Sequence, residues 1–180
     1  DNAYITMDDD YIESVWWSLK QHWENGLLEE GYKVIPYCPR CGTPLSSHEV
    51  AQGYEQTEDP SIYVRFKVKN EESYLLAWTT TPWTLISNLL LAVGKDLDYI
   101  LIEHEGEKYY LAEELVDEIF DKYEILDRLK GEELIGKEYE PIFEYVDSES
   151  ESHYVAHADF VSLEEGTGIV HTAPAFGEDD

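Results

Sequence analysis

The stretch Leu75 to Asn88 reads LLAWTTTPWTLISN and places three consecutive threonines at the end of an apolar segment, directly before a proline. Proline lacks an N–H group and restricts the residue before it, so we expect a strand to end here and the chain to turn. The hydroxyls of Thr79, Thr80 and Thr81 can line a pocket and hold a water, a ribose hydroxyl or a carbonyl oxygen. No base is close in sequence, so a nucleophilic role is not expected. An edge strand of β-branched residues is the alternative interpretation.

Short strands are predicted on both sides of this stretch. Residues 62–68 alternate apolar and polar side chains, which places one face of a strand inward. Residues 89–93 are apolar without alternation, as in a strand buried on both faces. Two further runs flank Glu105-Gly106 and predict a hairpin. The two strands of that hairpin are residues 99–103 and 108–111, and the other predicted strands are residues 32–37, 74–78, 154–161 and 168–172.

Two amphipathic helices are predicted at the edges of this strand-rich region. Residues 8–26 carry apolar side chains at the 3.6-residue spacing of a helix. This apolar face either docks on another part of a larger protein or packs on the core of the same domain. A second apolar stripe predicts a helix within residues 112–120. Residues 124–145 indicate only short strands and loops, and residues 147–152, DSESES, indicate a solvated loop. Many short strands without βαβα order predict a mainly β fold with a barrel-like core and peripheral helices.

The segment Gly166 to Asp180 reads GTGIVHTAPAFGEDD and follows a glycine-rich turn with a short strand and a histidine. Together with WTTTPWT at residues 78–84, it resembles the editing domain of isoleucyl-tRNA synthetase, a hydrolytic insertion that clears valine mischarged onto tRNA. Thr81 and His171 favour the isoleucyl type, because valyl and leucyl enzymes usually carry arginine at the first position and the valyl enzyme lysine at the second. The resemblance extends to DNAYITMDDDYIESVWW at the start of the chain, whereas Ile86 replaces a frequent proline.

The resemblance implies the closed β-barrel of the valyl, isoleucyl and leucyl editing domains, and a role for each matched residue. The carboxylate of Asp180 would bind the substrate's α-ammonium group. His171 would form a wall of the pocket, and Asn88 would anchor the terminal adenosine or brace the turn. The expected catalytic residues are Thr80, Thr81 and His171, and the expected substrate-binding residues are Thr79, Thr84, Asn88 and Asp180.

The chemistry that this resemblance implies is hydrolysis of the smaller product. An isoleucine pocket is known to discriminate against valine by only about 10–200-fold, because one methylene is worth roughly 1–3 kcal/mol. A second pocket that admits valine and excludes isoleucine can supply the remaining accuracy. No general base is evident, so positioning of water and the substrate's own ribose hydroxyl would supply most of the rate. No cofactor or metal is expected to be needed.

The charge of the chain bounds its partners. Twelve lysines and arginines stand against forty aspartates and glutamates, which gives a net charge of −28. Because nucleic-acid binders usually carry a basic face, we expect contact only with the 3′-terminal adenosine of the mischarged tRNA, while the rest of the synthetase in cis binds the remainder. A saline habitat is another explanation of the acidity. No apolar run predicts a membrane span or a secretion signal. Two cysteines in a Cys-x-x-Cys spacing do not form a disulfide scaffold, so the reducing cytoplasm is the expected compartment. The isolated domain is expected to be a monomer.

The two cysteines, Cys38 and Cys41, form a Cys-x-x-Cys pair that is typical of half a zinc site. His48 would still leave a ligand missing, so the resemblance implies partner cysteines further along the parent protein and zinc only there. A plain tight turn is the alternative. We expect residues 1–50 to form a helix and connecting segment, and residues 51–180 to form the editing barrel. The synthetase signatures for ATP binding, His-Ile-Gly-His and Lys-Met-Ser-Lys-Ser, are absent, so this sequence is not expected to contain the site that activates the amino acid.

Three other functions remain open at this point. The first is an editing domain of the valyl or leucyl type. The second is a non-catalytic module that positions tRNA or docks the parent enzyme through the helix that contains Trp16. The third is a zinc-ribbon interaction protein built on the Cys-x-x-Cys pair.

Overall fold

The computed structural model describes residues 5–145, 151–174, 176–177 and 180. The chain divides into two compact units, Asp1–Lys33 and Val34–Asp180. This division falls earlier than the boundary between residues 50 and 51 that the sequence suggests, because the Cys-x-x-Cys segment belongs to the second compact unit. The functional assignment of residues 34–50 stays a prediction.

The first unit contains helix α1, Asp9–Glu24, as the 3.6-residue spacing predicts. Asp9 and Asp10 lie in its first turn, where carboxylates interact favourably with the helix dipole. Gly26 follows the helix with a φ of +67°, a value that glycine adopts without strain. No residue of α1 is buried, and Trp16 is 67% exposed. The first unit by itself therefore shows neither docking of this helix on another part of the protein nor packing of the helix on a core.

The second unit begins with the hairpin of β1, Tyr37–Cys38, and β2, Thr43–Pro44, followed by helix α2, Ser47–Gln52. Ser46 and Glu49 form a reciprocal capping box at the start of α2. The prediction of a strand at residues 32–37 is wrong except at its last residue. Residues 32–36 follow Gly31, end in Pro36 and form no strand, whereas Tyr37 pairs with Pro44 in the β1–β2 hairpin.

Five strands form the larger sheet, in the spatial order β3-β4-β7-β6-β8. Only the β4–β7 pair of this sheet is parallel. The predicted hairpin is confirmed, since Glu105 and Gly106 connect β6 and β7 with φ values of +51° and +85°. The strands are β3, Ile62–Lys67; β4, Tyr74–Thr79; β6, Asp98–His104; β7, Glu107–Ala112; and β8, Glu124–Lys130.

Three strands form the second sheet, in the order β10-β5-β9, from β5, Leu90–Val93, β9, Tyr154–His157, and β10, Ile169–Thr172. The central position of β5 confirms the prediction of a strand buried on both faces, and Leu91 and Val93 are fully buried. Strand β9 ends earlier than the predicted 154–161, and residues 158–161 continue as turn and irregular chain.

The predicted helix at 112–120 is confirmed as helical chain, but it is shorter and divided in two. The segment forms a 3-10 helix, Glu113–Leu115, and then a single turn of helix, α3, Val116–Ile119. Strand β8 agrees with the short strands predicted for residues 124–145, whereas the short helix α4, Gly131–Leu134, was not predicted there. Residues 147–150 of the predicted loop lie outside the described residues.

One apolar core joins the two larger sheets. Phe66 and Leu75 from the five-stranded sheet and Leu91 and Ile169 from the three-stranded sheet belong to the same buried cluster. The prediction of a mainly β fold with few helices is therefore confirmed. The described strand pairs do not close into one hydrogen-bonded ring, so the closed barrel stays a prediction. Within the described residues, no helix has the length and apolarity that a membrane crossing requires.

Candidate active site

The threonine stretch forms a tight bend at the end of β4. Pro82 occupies the first turn of a 3-10 helix, Pro82–Ser87, where its missing N–H is not needed. The hydroxyl oxygen of Thr79 accepts a hydrogen bond from the backbone N–H of Thr81 at 3.0 Å. Thr84 closes the bend, because its backbone N–H and its hydroxyl both donate to the carbonyl oxygen of Thr81, at 3.0 and 2.8 Å. The side chains of the motif thus stabilise the turn that presents them.

The glycine-rich turn before β10 forms the opposite side. Gly166 and Gly168 have φ values of +85° and +71°. A Cβ on Gly168 would lie 2.5 Å from the Cβ of Ala112 on β7, so the turn can approach β7 only because glycine stands there. The phenol of Tyr99 donates to the carbonyl oxygen of Gly168 at 2.6 Å. These contacts fix the entry of β10, and its pairing with β5 then sets the register of His171 opposite Leu91.

His171 joins the two motifs through its ring nitrogens. Nε2 lies 2.7 Å from the hydroxyl of Thr84, and Nδ1 lies 3.2 Å from Nδ2 of Asn88. Because the Thr84 hydroxyl donates to the carbonyl of Thr81, it accepts from Nε2–H. The Asn88 amide then donates to Nδ1. This arrangement is satisfied by one neutral tautomer of His171, with its proton on Nε2.

The environment of His171 also favours the neutral ring. Burial lowers the pKa of His171 from its ordinary value, and the carboxylate of Asp180 opposes this shift. A proton on Nδ1 would face the donor amide of Asn88, which adds a reason for the low pKa. At neutral pH the ring is therefore uncharged and both nitrogens are engaged within the protein.

Asp180 returns the end of the described chain to the same place. Its Oδ1 accepts a hydrogen bond from the backbone N–H of Ala173 at 2.9 Å. Among the described residues that line the cavity between the threonine bend and the glycine-rich turn, Glu165 is the other charged one. Since both groups are carboxylates, this lining favours a cation such as an ammonium group and disfavours a phosphate.

A cavity of about 440 Å³ lies between the threonine bend and the glycine-rich turn. Its lining includes every predicted catalytic residue and every predicted substrate-binding residue except Asn88. Asn88 is only 7% exposed and contacts His171, and its two expected roles, anchoring the adenosine or bracing the turn, stay predictions. The predicted residues on the lining are Thr79, Thr80, Thr81, Thr84, His171 and Asp180.

Sequence reasoning missed several residues of the site. Trp78, Phe160, Ser162 and Glu165 also line the cavity, and Tyr139 donates its phenolic hydrogen to Oδ1 of Asn88 at 2.8 Å. Glu165 immediately precedes the glycine-rich turn, which was an available signal. Tyr139 lies in a region without periodicity and comes into the site through tertiary contacts alone.

The Cys-x-x-Cys segment forms the turn between β1 and β2, and neither cysteine lines the cavity. The backbone N–H of Cys41 contacts Sγ of Cys38 at 3.4 Å, and this hydrogen bonding lowers the pKa of the Cys38 thiol. Two sulfur donors in one turn fit half of a tetrahedral zinc site. Within the described residues, no group of three or more histidine, cysteine or acidic side chains is arranged to hold a metal. Zinc at this turn stays a prediction for a longer parent protein.

Comparison with protein families identifies a matching profile over most of the chain. The profile described as tRNA synthetases class I (I, L, M and V) matches residues 1–167. The isoleucine–tRNA ligase of Clostridium kluyveri is 56% identical over 180 residues, which is all of this chain and 17% of that protein. The isoleucine–tRNA ligase of Clostridium tetani is 57% identical over 182 residues, again across the whole chain and 18% of that protein. The chain thus spans less than one fifth of the length of these curated relatives.

A solved structure supports the architecture. GlLeuRS-CP1, a CP1 editing domain of a leucyl-tRNA synthetase, superimposes with a TM-score of 0.54 and 16% sequence identity. The match covers 62% of this chain and 53% of that chain. At this identity the likeness establishes the fold.

Proposed function

Because this chain belongs to the class I tRNA synthetases of the isoleucine, leucine, methionine and valine group, we propose that its second unit is a proofreading domain. Its reaction would be hydrolysis of valyl-tRNA(Ile) with exclusion of isoleucyl-tRNA(Ile). The identity of 56% with an isoleucine–tRNA ligase supports the isoleucyl type over the valyl and leucyl types. Thr81 and His171 agree with that choice.

One observation carries the proposal: two motifs about ninety residues apart in sequence line one cavity. The hydroxyls of the threonine bend lie on one side, and His171 and Asp180 lie on the other. A plain edge strand would require neither the bend nor the buried bond between Thr84 and His171 at 2.7 Å. A non-catalytic module would not require the carboxylate of Asp180 at the cavity.

The proposed reaction assigns each group a task. Water attacks the carbonyl carbon of the ester, the bond from that carbon to the ribose oxygen breaks, and the ribose oxygen leaves as a hydroxyl. Thr80 and Thr81 would hold the carbonyl oxygen and position the water, while the adjacent ribose hydroxyl of the substrate assists. Asp180 would bind the α-ammonium group through a charge-assisted hydrogen bond.

His171 is better suited to recognition than to proton abstraction. A general base needs a free lone pair within reach of the water. Nδ1 of His171 is engaged by Asn88, and Nε2–H is donated to Thr84. We therefore propose that the face of the ring bounds the space for the amino-acid side chain, where an additional methylene of isoleucine would collide.

The charge of the chain limits its contact with tRNA. A net charge of −28 opposes binding of a phosphate backbone. We propose that the cavity receives only the 3′-terminal aminoacyl-adenosine, and that the remainder of a cytoplasmic synthetase in cis binds the rest of the tRNA. Synthetic activity is not assigned to this chain.

The expected barrel is part of the same proposal. Strand β10 packs against β4 as well as pairing with β5. The strand that carries His171 thereby belongs to the three-stranded sheet and contacts the five-stranded one. We propose that this contact closes the core in the manner of a barrel and holds the two motifs together.

Hydrolysis assays with the 180-residue chain test the proposal. We expect release of valine from Val-tRNA(Ile) and release of isoleucine from Ile-tRNA(Ile) that is slower by about 100-fold or more. A steric clash with the larger side chain should discriminate more strongly than the loss of one methylene contact does. The double variant Thr80→Val, Thr81→Val should lose the activity and retain its circular dichroism spectrum. Thr57→Val, which removes an exposed hydroxyl bonded to Asp59, is the matched control. Equal hydrolysis of both esters, or preference for Thr-tRNA, would contradict the isoleucyl assignment.

A further inference from the structure

A buried chain of hydrogen bonds extends from the cavity wall into the core. It runs from Thr84 through His171 and Asn88 to Tyr139, over distances of 2.7, 3.2 and 2.8 Å. We propose that Tyr139 is a positioning residue, which holds His171 in one tautomer through the side-chain amide of Asn88. Only the catalytic consequence of this proposal rests on the proposed hydrolytic function.

The core fixes the place of Tyr139. The residue is fully buried, and its ring meets Phe66 edge-on with centroids 5.2 Å apart. Its backbone bridges to Val68, and its N–H donates to the carbonyl of His153 at 2.9 Å. The phenol therefore has little freedom to turn away from Asn88. Burial raises the pKa of Tyr139, so the phenol keeps its hydrogen and acts as a donor.

Three contacts define the orientation of the Asn88 amide. Its Oδ1 accepts from the phenol of Tyr139, and its Nδ2 donates to the carbonyl of Leu90 at 2.9 Å and to that of Thr172 at the longer distance of 3.4 Å. The reversed amide would place Oδ1 against the carbonyl oxygen of Leu90. In the observed orientation Nδ2 presents a hydrogen to Nδ1 of His171, so that nitrogen must accept.

The phenol matters because Oδ1 would otherwise be a buried acceptor without a partner. Such an atom costs free energy, and the side chain would rotate to reduce that cost. Rotation would withdraw Nδ2 from His171. The proton could then also lie on Nδ1, with the Thr84 hydroxyl turned from the carbonyl of Thr81 to donate to Nε2. The protonated ring would also no longer face a donor at Nδ1.

Other titratable groups face this chain of bonds. In the described residues, Asp180 and Glu165 lie on the cavity side, and the ring of His153 meets Tyr139 edge-on at 5.8 Å. All three are retained when Tyr139 is replaced by phenylalanine. Differences between the two proteins therefore report on the phenolic hydroxyl.

The test is nitrogen-15 NMR of the histidine rings in the 180-residue chain. Tyr139→Phe is compared with wild type and with Tyr110→Phe, which removes a buried phenol that donates to Glu71 at 3.0 Å. The signal of His171 is assigned with His171→Gln. We expect the Nε2–H tautomer in wild type and in Tyr110→Phe. In Tyr139→Phe we expect both tautomers and a titration midpoint of His171 at higher pH.

Unchanged tautomer and midpoint in Tyr139→Phe would overturn the proposal. If that variant does not fold, Asn88→Asp replaces the donor by an acceptor and must move the proton to Nδ1; a proton retained on Nε2 alone would overturn it equally. The single-turnover rate of Val-tRNA(Ile) hydrolysis should be about fivefold lower in Tyr139→Phe, the effect of one lost buried hydrogen bond. The decline of this rate at low pH should begin at a higher pH than in wild type. A wild-type chain without hydrolysis contradicts the proposed function, and the NMR result still decides the role of Tyr139.

Discussion

At the scale of single residues, hydrogen-bond direction determines what each group of the site can do. Thr84 donates to a backbone carbonyl and must accept from His171, and this leaves the histidine no free lone pair on Nε2. Asp180 uses one oxygen for the N–H of Ala173. Its second oxygen is the candidate acceptor for a substrate ammonium group. These assignments give separate predictions for the carboxylate and for the imidazole.

Asp180→Asn should weaken hydrolysis of Val-tRNA(Ile) by about tenfold or more, because a hydrogen bond to a charged group is worth roughly 1.5–3 kcal/mol. The amide oxygen can still accept from Ala173, so the fold should be unaffected. Asp98→Asn, which removes the surface carboxylate that pairs with Lys130, is the control for loss of charge. Single-turnover rates measure the effect, and equal rates for Asp180→Asn and wild type would remove the assigned role.

The pH dependence of stability should carry a contribution from His171. Burial depresses its folded pKa, so the unfolded chain takes up this proton more readily than the folded one. The contribution to stability is complete above the unfolded pKa of about 6.5 and is lost as the pH falls through the folded pKa. The free energy of unfolding is measured with urea for wild type and for His171→Gln between pH 8 and pH 5, in steps of about one pH unit. It should fall more steeply with decreasing pH in wild type. Parallel curves would indicate that His171 titrates as an exposed histidine.

At the scale of elements, the bend after β4 and the turn before β10 place the motifs. Strand β10 reaches its position because the turn at Gly168 can lie against β7. Gly106 in the β6–β7 hairpin has a similar positive φ of +85°, but no atom lies within 4 Å of a Cβ built on it. Comparing the same substitution at the two glycines therefore separates the cost of backbone strain from the cost of a steric clash.

Gly168→Ala should destabilise the chain by roughly 2–4 kcal/mol, since strain at positive φ and overpacking each cost about 1–3 kcal/mol. Gly106→Ala should cost only about 1 kcal/mol, because it adds strain without a clash. Midpoints of urea unfolding measure both changes. Similar losses in the two variants would show that contact with Ala112 does not constrain the turn.

The sequence predicts these elements unevenly, for physical reasons. Local signals identify α1, the hairpin at Glu105-Gly106 and the buried strand β5, because periodicity and turn residues act over short distances. They do not resolve how the predicted helix at residues 112–120 divides into a 3-10 helix and one α-helical turn, nor the bounds of β8, which pairing with β6 sets. The threonine and histidine motifs were recognisable as contiguous stretches. The orientation of Asn88 and the contact with Tyr139 depend on packing and could not be found locally.

At the scale of the whole molecule, the acidic charge affects both stability and binding. The chain has a net charge of −28, while its described ion pairs are mostly exposed. Exposed pairs contribute little, so mutual repulsion of carboxylates is not offset by them. The same charge explains why the cavity, rather than a broad surface, is the proposed contact with tRNA.

Raising the NaCl concentration from about 0.01 M to about 0.5 M should stabilise the chain, because the screening length falls from about 30 Å to a few ångströms. The urea midpoint should increase over this range. Na₂SO₄ and NaCl at equal ionic strength distinguish screening from ion-specific effects. A midpoint that decreases with NaCl would show that attractive pairs outweigh repulsion.

The central claim is that the threonine bend and Asp180 hold a valyl ester between them. A crystal structure of the chain with a non-hydrolysable valyl-adenosine analogue tests this most directly. We predict that the analogue's ammonium group lies about 3 Å from the Asp180 carboxylate, its carbonyl lies at Thr80 and Thr81, and its side chain faces His171. An analogue bound elsewhere, or bound here with its amino acid directed into solvent, would contradict the claim.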